Sequence, residues 1–258
     1  MTSAGTLLVA ERRQALIDAV RTHGRLEIAG AAAEFGTSTE TIRKDLIALG
    51  SQGLLKRVHG GALQLESMTF EPEIASRTEN LAEKRRIAAR AIDEVPQGGA
   101  IFIDAGSTTQ VFAELLIGAP GLQVFTNALT VAGVLARKNF LNCHTVGGRV
   151  RPNSLAEVGS LAQRVFDDFR FDVAFVGTNA ASFSRGLCTP DPEEAAIKRA
   201  MIVNSERVVL LADHTKFARD SLVKYADLDE INLVITGVEI EDEQHAALLD
   251  VGVETELA

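Results

Sequence analysis

Two cysteines in 258 residues, Cys143 and Cys188, are too few for a disulfide framework, and neither has partners at metal-ligand spacing. Both are expected to be buried thiols. No stretch approaches about 18 uninterrupted apolar residues, and the run Leu7-Leu8-Val9-Ala10 breaks at once into Glu11, Arg12 and Arg13. This pattern fits neither a membrane span nor a signal peptide and predicts a cytoplasmic protein. The five histidines, His23, His59, His144, His214 and His245, show no metal spacing, so no metal and no cofactor are expected. Internal repeats and low-complexity tracts are lacking too. Positive charge is also short, with 26 Lys and Arg against 35 Asp and Glu, a net charge of −9. Such a balance argues against coating nucleic acid indiscriminately, because phosphate neutralisation needs cations.

What is present is an ordinary soluble composition, 46% hydrophobic and 24% charged, with length for a small domain plus a larger one. The charge is uneven. Residues 1–66 carry eight basic side chains against seven acidic ones, a net +1, which leaves −10 for the remainder. Between Thr41 and Gly60 four cations (Arg43, Lys44, Lys56, Arg57) face one acid, Asp45, a clustering suited to a small DNA-contacting surface.

Periodicity predicts three helices at the start of the chain. The first follows Ala10 and stops at Thr22-His23-Gly24; the second runs from about Glu27 to Glu34 and ends at Phe35-Gly36. The third opens on Thr37-Ser38-Thr39-Glu40, which reads as a capping box, and stacks Ile42, Leu46 and Leu49 on one face. Helix, short turn and helix is helix-turn-helix spacing, and it sets Glu40, Arg43 and Lys44 away from the apolar stripe. Any three-helix domain gives similar spacing. Leu54 to Val58 and Ala62 to Leu65 then predict a β-hairpin with Gly60-Gly61 at its tip, a wing. Residues 66–80, containing Pro72, read as a linker.

From Asn80 helices alternate with short apolar strands. Helices are expected at 81–94, 108–117, 129–138 and about 193–204, and strands at 100–103, 123–125, 143–146, 173–176, 208–211 and 233–235. This is an α/β pattern, a mostly parallel sheet covered on both faces. The strand-ending run Asp104-Ala105-Gly106-Ser107-Thr108-Thr109-Gln110 is a small-residue loop opening a helix, a capping box from Ser107 to Gln110 to which a functional reading adds an anion site at the helix start. It is neither a Walker motif nor G-x-G-x-x-G. Thr126-Asn127, Gly147-Gly148 and Gly177-Thr178 end three other strands, where a parallel sheet opens its ligand crevice. Glu194 and Lys198 are one helical turn apart, a surface ion pair or a pair reaching that crevice.

The run TSTETIRKDLIALGSQGLLKRVHGGA, residues 37–62, resembles the signature of the DeoR family of bacterial transcriptional repressors, and the order winged helix-turn-helix, linker and α/β domain matches over nearly the whole chain. Thr37 departs from the family, which usually has an apolar residue packing in the turn. The resemblance implies a DNA-binding domain at 1–65, a linker at 66–80 and, at 81–258, a sensing and oligomerisation domain with a fold like ribose-5-phosphate isomerase or glucosamine-6-phosphate deaminase. DNA contacts are expected from Ser38, Thr39, Thr41, Arg43 and Lys44 on the recognition helix, with Arg43 on a base and Lys44 on phosphate, and from Arg57 and His59 near the wing. Asp45 would repel DNA, so an intradomain ion pair or cap contact is expected for it.

The resemblance also supplies a phosphorylated sugar as effector. Its expected contacts are Asp104, Gly106, Ser107, Thr108, Thr109, Thr126, Asn127, Gly147, Gly148, Gly177, Thr178, Glu194, Asp213 and Lys216, with Lys198, Lys216 or Arg151 supplying a cation. Arg77, Asn80 and Lys84 match the family pattern at the domain junction and could carry a signal through the linker. Val173 to Asn179 and Gly186 to Asp191 look like the subset that governs fructose and related phosphotransferase sugars. The expected partners are operator DNA, a sugar phosphate and further copies of the chain, as a dimer or tetramer, and no membrane. The alternative is a sugar-phosphate isomerase-like enzyme, with Glu194, Asp213 and Lys216 near a phosphate loop and an accessory DNA-binding module.

Overall fold

A computed structural model describes residues 9–51, 55–63, 68–69, 71–118, 120–138 and 142–258, which divide into two units, Met1–Ser76 and Arg77–Ala258. In the first, helices α1 (Val9–His23), α2 (Ile28–Glu34) and α3 (Thr39–Ser51) surround a core of Leu16, Val20, Ile42, Leu46, Leu49 and Leu55. Strand β1 (Arg25–Glu27) lies against β3 (Gly61–Leu63), which pairs on its other side with β2 (Lys56–Val58), all antiparallel. The sequence pattern does not predict β1. Only Leu26 of its three residues is buried, too short an alternation to register.

Two local expectations are corrected. The hairpin pairs Val58 with Gly61, so its two-residue tip is His59-Gly60, with Gly60 at φ 81°. Gly61 is a strand residue, and a Cβ there would strike the Leu26 carbonyl oxygen across the sheet. The cap of α3 is shifted by one residue as well: Ser38 Oγ accepts the Thr41 N–H at 3.1 Å, while Glu40 turns to Arg43. Leu54, Gln64 and Leu65 of the expected hairpin, and Glu66, Ser67 and Phe70 of the expected linker, lie outside the described residues.

The second unit is an α/β layer structure. Its elements run α4 (Leu81–Ala91), β4 (Gly99–Ile103), α5 (Ser107–Leu115), β5 (Leu122–Thr126), α6 (Leu129–Arg137) and β6 (Cys143–Thr145). A ribbon of β7 (Arg149–Val150) and β8 (Glu157–Val158) follows, then α7 (Ser160–Gln163), α8 (Val165–Asp168) and β9 (Phe171–Val176). Next come β10 (Ala180–Ser182), β11 (Gly186–Thr189), α9 (Pro192–Val203), β12 (Ser205–Leu211), β13 (Val223–Ala226), β14 (Leu233–Thr236), α10 (Asp242–Asp250) and β15 (Glu254–Leu257). The main sheet has the order β15-β14-β12-β9-β4-β5-β6 and is parallel at every pairing, while β10, β11 and β13 form a small antiparallel sheet.

From β4 the chain builds outward to β5 and β6, then returns to the other side of β4 and builds β9, β12, β14 and β15. The direction of winding therefore switches between β4 and β9, where open α/β sheets place their ligand crevice. Packing fixes the helix at that point. Phe112 of α5 lies on Phe175 of β9 with ring centroids 4.3 Å apart, both fully buried. Each such ring contributes about 1.5–3 kcal/mol by leaving water, enough to hold the start of α5 against the strand ends.

Candidate DNA interface and effector crevice

In the first unit, Ser38, Thr39, Arg43 and Lys44 are exposed and Thr41 half-buried, all at or within the opening turns of α3. Arg57 and His59 are exposed on the wing. A cleft of about 570 Å³ lined by Arg43, Arg57, His59 and Gly60, with Ile28 and Leu46 at its floor, brings helix and wing cations to one concavity. Arg57 rests its stem against Gly50, whose lack of a Cβ permits the approach. Asp45 is buried in the opposite sense. It accepts Arg12 Nε at 2.7 Å and Arg13 Nε at 2.8 Å, and although burial opposes its charge, those two guanidinium groups hold the carboxyl below the usual carboxylate range.

In the second unit, the switch point is spanned by one carboxylate. Asp104, fully buried at the end of β4, accepts the Gly177 N–H from the end of β9 at 3.0 Å and the Ala105 N–H at 2.8 Å, and it pairs with Lys198 of α9. Lys198 also donates to the Gly177 carbonyl at 2.9 Å and sits 5.6 Å from the centre of the Tyr225 ring. Burial disfavours its ammonium, but Asp104, Tyr225 and Glu194 hold it protonated above the ordinary lysine range. Glu194, one turn earlier, pairs with Arg151, which reaches Asp191 at 3.2 Å, and Asp191 caps α9 by accepting the Glu193 and Glu194 N–H groups.

Asp104, Lys198, Glu194, Arg151 and Asp191 thus form one continuous network of three acids and two cations. Lys198 and Arg151, two of the three expected effector cations, are already engaged by carboxylates. Lys216 is different: it is half-buried, and its ammonium makes no hydrogen bond or ion pair among the described residues. Burial lowers its affinity for a proton, which a nearby anion would restore.

The start of α5 corrects the capping-box reading. Its N-cap is Gly106, and no side chain caps it, so Ser107 to Thr109 present helix-start N–H groups without an acceptor among the described residues; Thr109 Oγ1 instead donates to the Gly106 carbonyl. Other expected residues are engaged by the fold. Thr126 Oγ1 donates to the Ile103 carbonyl at 2.6 Å, the Gly147 N–H goes to Glu157, and Thr178 Oγ1 donates to the Ala180 carbonyl. Gly148, at φ 110°, has no room for a Cβ beside the Val158 carbonyl. Asn127 is fully buried.

Asp213 belongs to a separate group. It accepts Asn80 Nδ2 at 3.2 Å and Thr215 Oγ1 at 2.5 Å, while Glu83 binds the His214 N–H and Nδ1. Lys84 Nζ donates to the Arg77 and Glu79 carbonyls, tying the first residues of this unit to the same edge. Glu83, Asp213 and His214 lie close enough to share an ion, a proximity that sequence spacing could not show, though His214 Nδ1 is already engaged by Glu83. Sequence reasoning missed Tyr225, the only tyrosine, and Ser154, which sits beside Arg151 and Glu194. Asp191 was missed as a member of the network too, although Asp191-Pro192, a cap followed by proline at the first helical position, is a readable helix start.

Comparison with known proteins covers both units. A family model described as the DeoR-like helix-turn-helix domain matches residues 12–68, and one described as the DeoR C terminal sensor domain matches residues 79–238. The chain is 33% identical over 234 residues to an uncharacterized HTH-type transcriptional regulator, FruR, of Bacillus subtilis, covering 90% of this chain and 93% of the relative. It is 31% identical over 226 residues to the glycerol-3-phosphate regulon repressor of Escherichia coli, covering 88% and 90%. Among solved structures, ribose 5-phosphate isomerase A of Methanocaldococcus jannaschii aligns at a TM-score of 0.40 and 16% identity, covering 54% of this chain and 55% of that one.

Proposed function

The chain belongs to the DeoR family of transcriptional regulators, and from that premise we propose that its second unit binds a phosphorylated sugar whose presence changes operator affinity. It is a DNA-binding regulator, a repressor of carbohydrate-metabolism genes, rather than an enzyme. In our reading the DNA-binding domain spans 1–65, the linker 66–80 and the sensor 81–258. Arg43 reads a base and Lys44 a phosphate, with Ser38, Thr39 and Thr41 at the start of the helix and Arg57 and His59 on the wing holding the backbone. The regulator works in the cytoplasm as a homo-oligomer, because one small winged module buries little DNA surface and a symmetric assembly presents two or more.

The observation that carries the effector reading is the uncapped start of α5 at the switch point of the sheet. Backbone N–H groups, the Ser107 and Thr108 hydroxyls and the positive end of the helix suit a phosphate, and we assign Lys216, which feels the charge of Asp213, as the cation that would join it. Asp104, Lys198, Glu194 and Arg151 act behind this surface, fixing the loop through Gly177 rather than supplying unpaired charge. Among the relatives, the Escherichia coli repressor is named for glycerol-3-phosphate, a small phosphorylated polyol, which fits an anion-centred pocket. Calorimetry on matched pairs tests this: a sugar phosphate should bind at least about tenfold more tightly than the same sugar without phosphate, since charge-assisted hydrogen bonds are about twice as strong as neutral ones. Equal affinities would remove the phosphate from the proposal.

A further inference from the structure

Asn127 follows β5 at the carboxyl edge of the main sheet, and neither Nδ2 nor Oδ1 meets a hydrogen-bonding partner among the described residues, although the side chain is fully buried. Three residues on, in the first turn of α6, the Thr130 hydroxyl is also buried and unpartnered. Buried polar groups in folded proteins are almost always satisfied, so three idle atoms in one turn of chain require a reason. Capping does not supply it, since Ala128 is the N-cap of α6 and no side chain caps that helix. Three backbone bonds tie this turn to its neighbours. The Asn127 carbonyl accepts the Glu157 N–H at 2.6 Å, the Ala128 N–H goes to Thr126 Oγ1 at 3.0 Å, and the Leu129 N–H goes to the Leu155 carbonyl at 3.1 Å.

The place is also informative. Thr126 is the register partner of Ile103, so Asn127 stands beside Asp104, where the uncapped loop begins. We infer that Asn127 and Thr130 are specificity-determining residues that recognise hydroxyl groups on the carbon chain of the effector, next to the anion held by residues 104–109. This rests on the reading of the crevice as a sugar-phosphate site.

Hydrogen-bond inventory selects the chemistry. A carboxamide offers two N–H donors and one acceptor oxygen, and a threonine hydroxyl both donates and accepts. A second phosphate could satisfy only the donors and would leave Asn127 Oδ1 facing an anion. An apolar group would satisfy nothing. A carbon chain bearing hydroxyls meets all three atoms, and a site built to bind a hydroxyl strongly rejects the analogue that lacks it. The ribbon β7–β8 and its loop are stitched to this corner through Leu155 and Glu157.

The test uses the full-length chain and its Asn127→Leu variant, which keeps the branching of the side chain and removes both polar atoms. Affinities are measured by calorimetry for inorganic phosphate, glycerol 3-phosphate, fructose 1-phosphate, fructose 6-phosphate and glucose 6-phosphate. In the unaltered protein the best organic phosphate should bind at least about tenfold more tightly than inorganic phosphate. In folded Asn127→Leu that advantage should disappear while the inorganic phosphate constant stays within about twofold. Thr130→Val, nearly isosteric, should reduce the advantage severalfold in the same way.

A retained advantage in folded Asn127→Leu overturns this inference alone. An advantage undiminished in Thr130→Val overturns the role of that hydroxyl. If no organic phosphate outbinds inorganic phosphate in the unaltered protein, the sugar-phosphate reading fails and this inference fails with it.

Discussion

Arg43 is held at 2.5 Å by Glu40 one turn earlier, with both side chains about half exposed, and the base contact proposed for Arg43 requires displacing that carboxylate. The displacement costs little, because exposed ion pairs contribute about 0–1 kcal/mol. Lys44 next to it has no such partner among the described residues and is a point charge on a flexible stem, suited to a phosphate rather than to the two acceptors of a guanine edge. These differences predict different phenotypes. Arg43→Ala should lose roughly 1–3 kcal/mol on the preferred operator and discriminate less between sequences, whereas Lys44→Ala should weaken all sequences alike and lower the salt slope by about one. Titrations of operator and scrambled DNA at several salt concentrations separate the two, and matching behaviour would overturn the division of roles. Asp45 shows how far residue chemistry could be read in advance: an acid amid four cations had to face inward, and it does, but its partners Arg12 and Arg13 lie more than 30 residues away, beyond the reach of local pattern.

Elements were legible in proportion to the length of their pattern. The stripe of Ile42, Leu46 and Leu49 gives α3, and the apolar runs give the six predicted strands of the main sheet, because burial on both faces leaves continuous hydrophobic sequence. The small antiparallel sheet was invisible. Ala180-Ala181-Ser182 and Gly186-Leu187-Cys188-Thr189 carry weak strand propensity, and their pairing is imposed by contacts with each other and with β13. The crevice was legible as a set of strand ends but not as a network, since Lys198 meets Asp104 across 94 residues and Arg151 meets Glu194 across 43. In the wing, two adjacent glycines read alike yet do different work. Gly60→Ala places an L residue at φ 81° and should cost about 1–2 kcal/mol. Gly61→Ala drives a methyl into the Leu26 carbonyl and should cost about 3 kcal/mol, since neither strand of the β1–β3 pair can shift without breaking its ladder. Denaturant unfolding of the two variants, followed with operator affinity, should rank Gly61→Ala as the more damaging in both; the reverse order would place Gly61 at the turn after all.

For the whole molecule, the proposed function assigns the operator and the effector to different units of one chain, and on that proposal either influences the other only through differential affinity for two arrangements of the protein. We expect the effector to change the spacing of the winged modules, with 66–80 as the hinge. Local geometry gives the signal a starting point. Lys216 lies in the turn that Asp213 caps, Asp213 holds Asn80, and Lys84 holds the carbonyls of Arg77 and Glu79. An anion drawn to Lys216 therefore bears on the residues through which the chain enters the sensor. Thermodynamic linkage turns this into a measurement without knowledge of the path. If the effector weakens operator binding by a factor, saturating operator must weaken effector binding by the same factor, typically about 5–150-fold for coupled sites. Measuring the effector dissociation constant with and without a saturating operator duplex should give that factor, and Asn80→Ala should reduce it while leaving each separate affinity near its original value. An effector constant that does not change when operator is bound would make the ligand a structural one, and regulation would then require a different trigger.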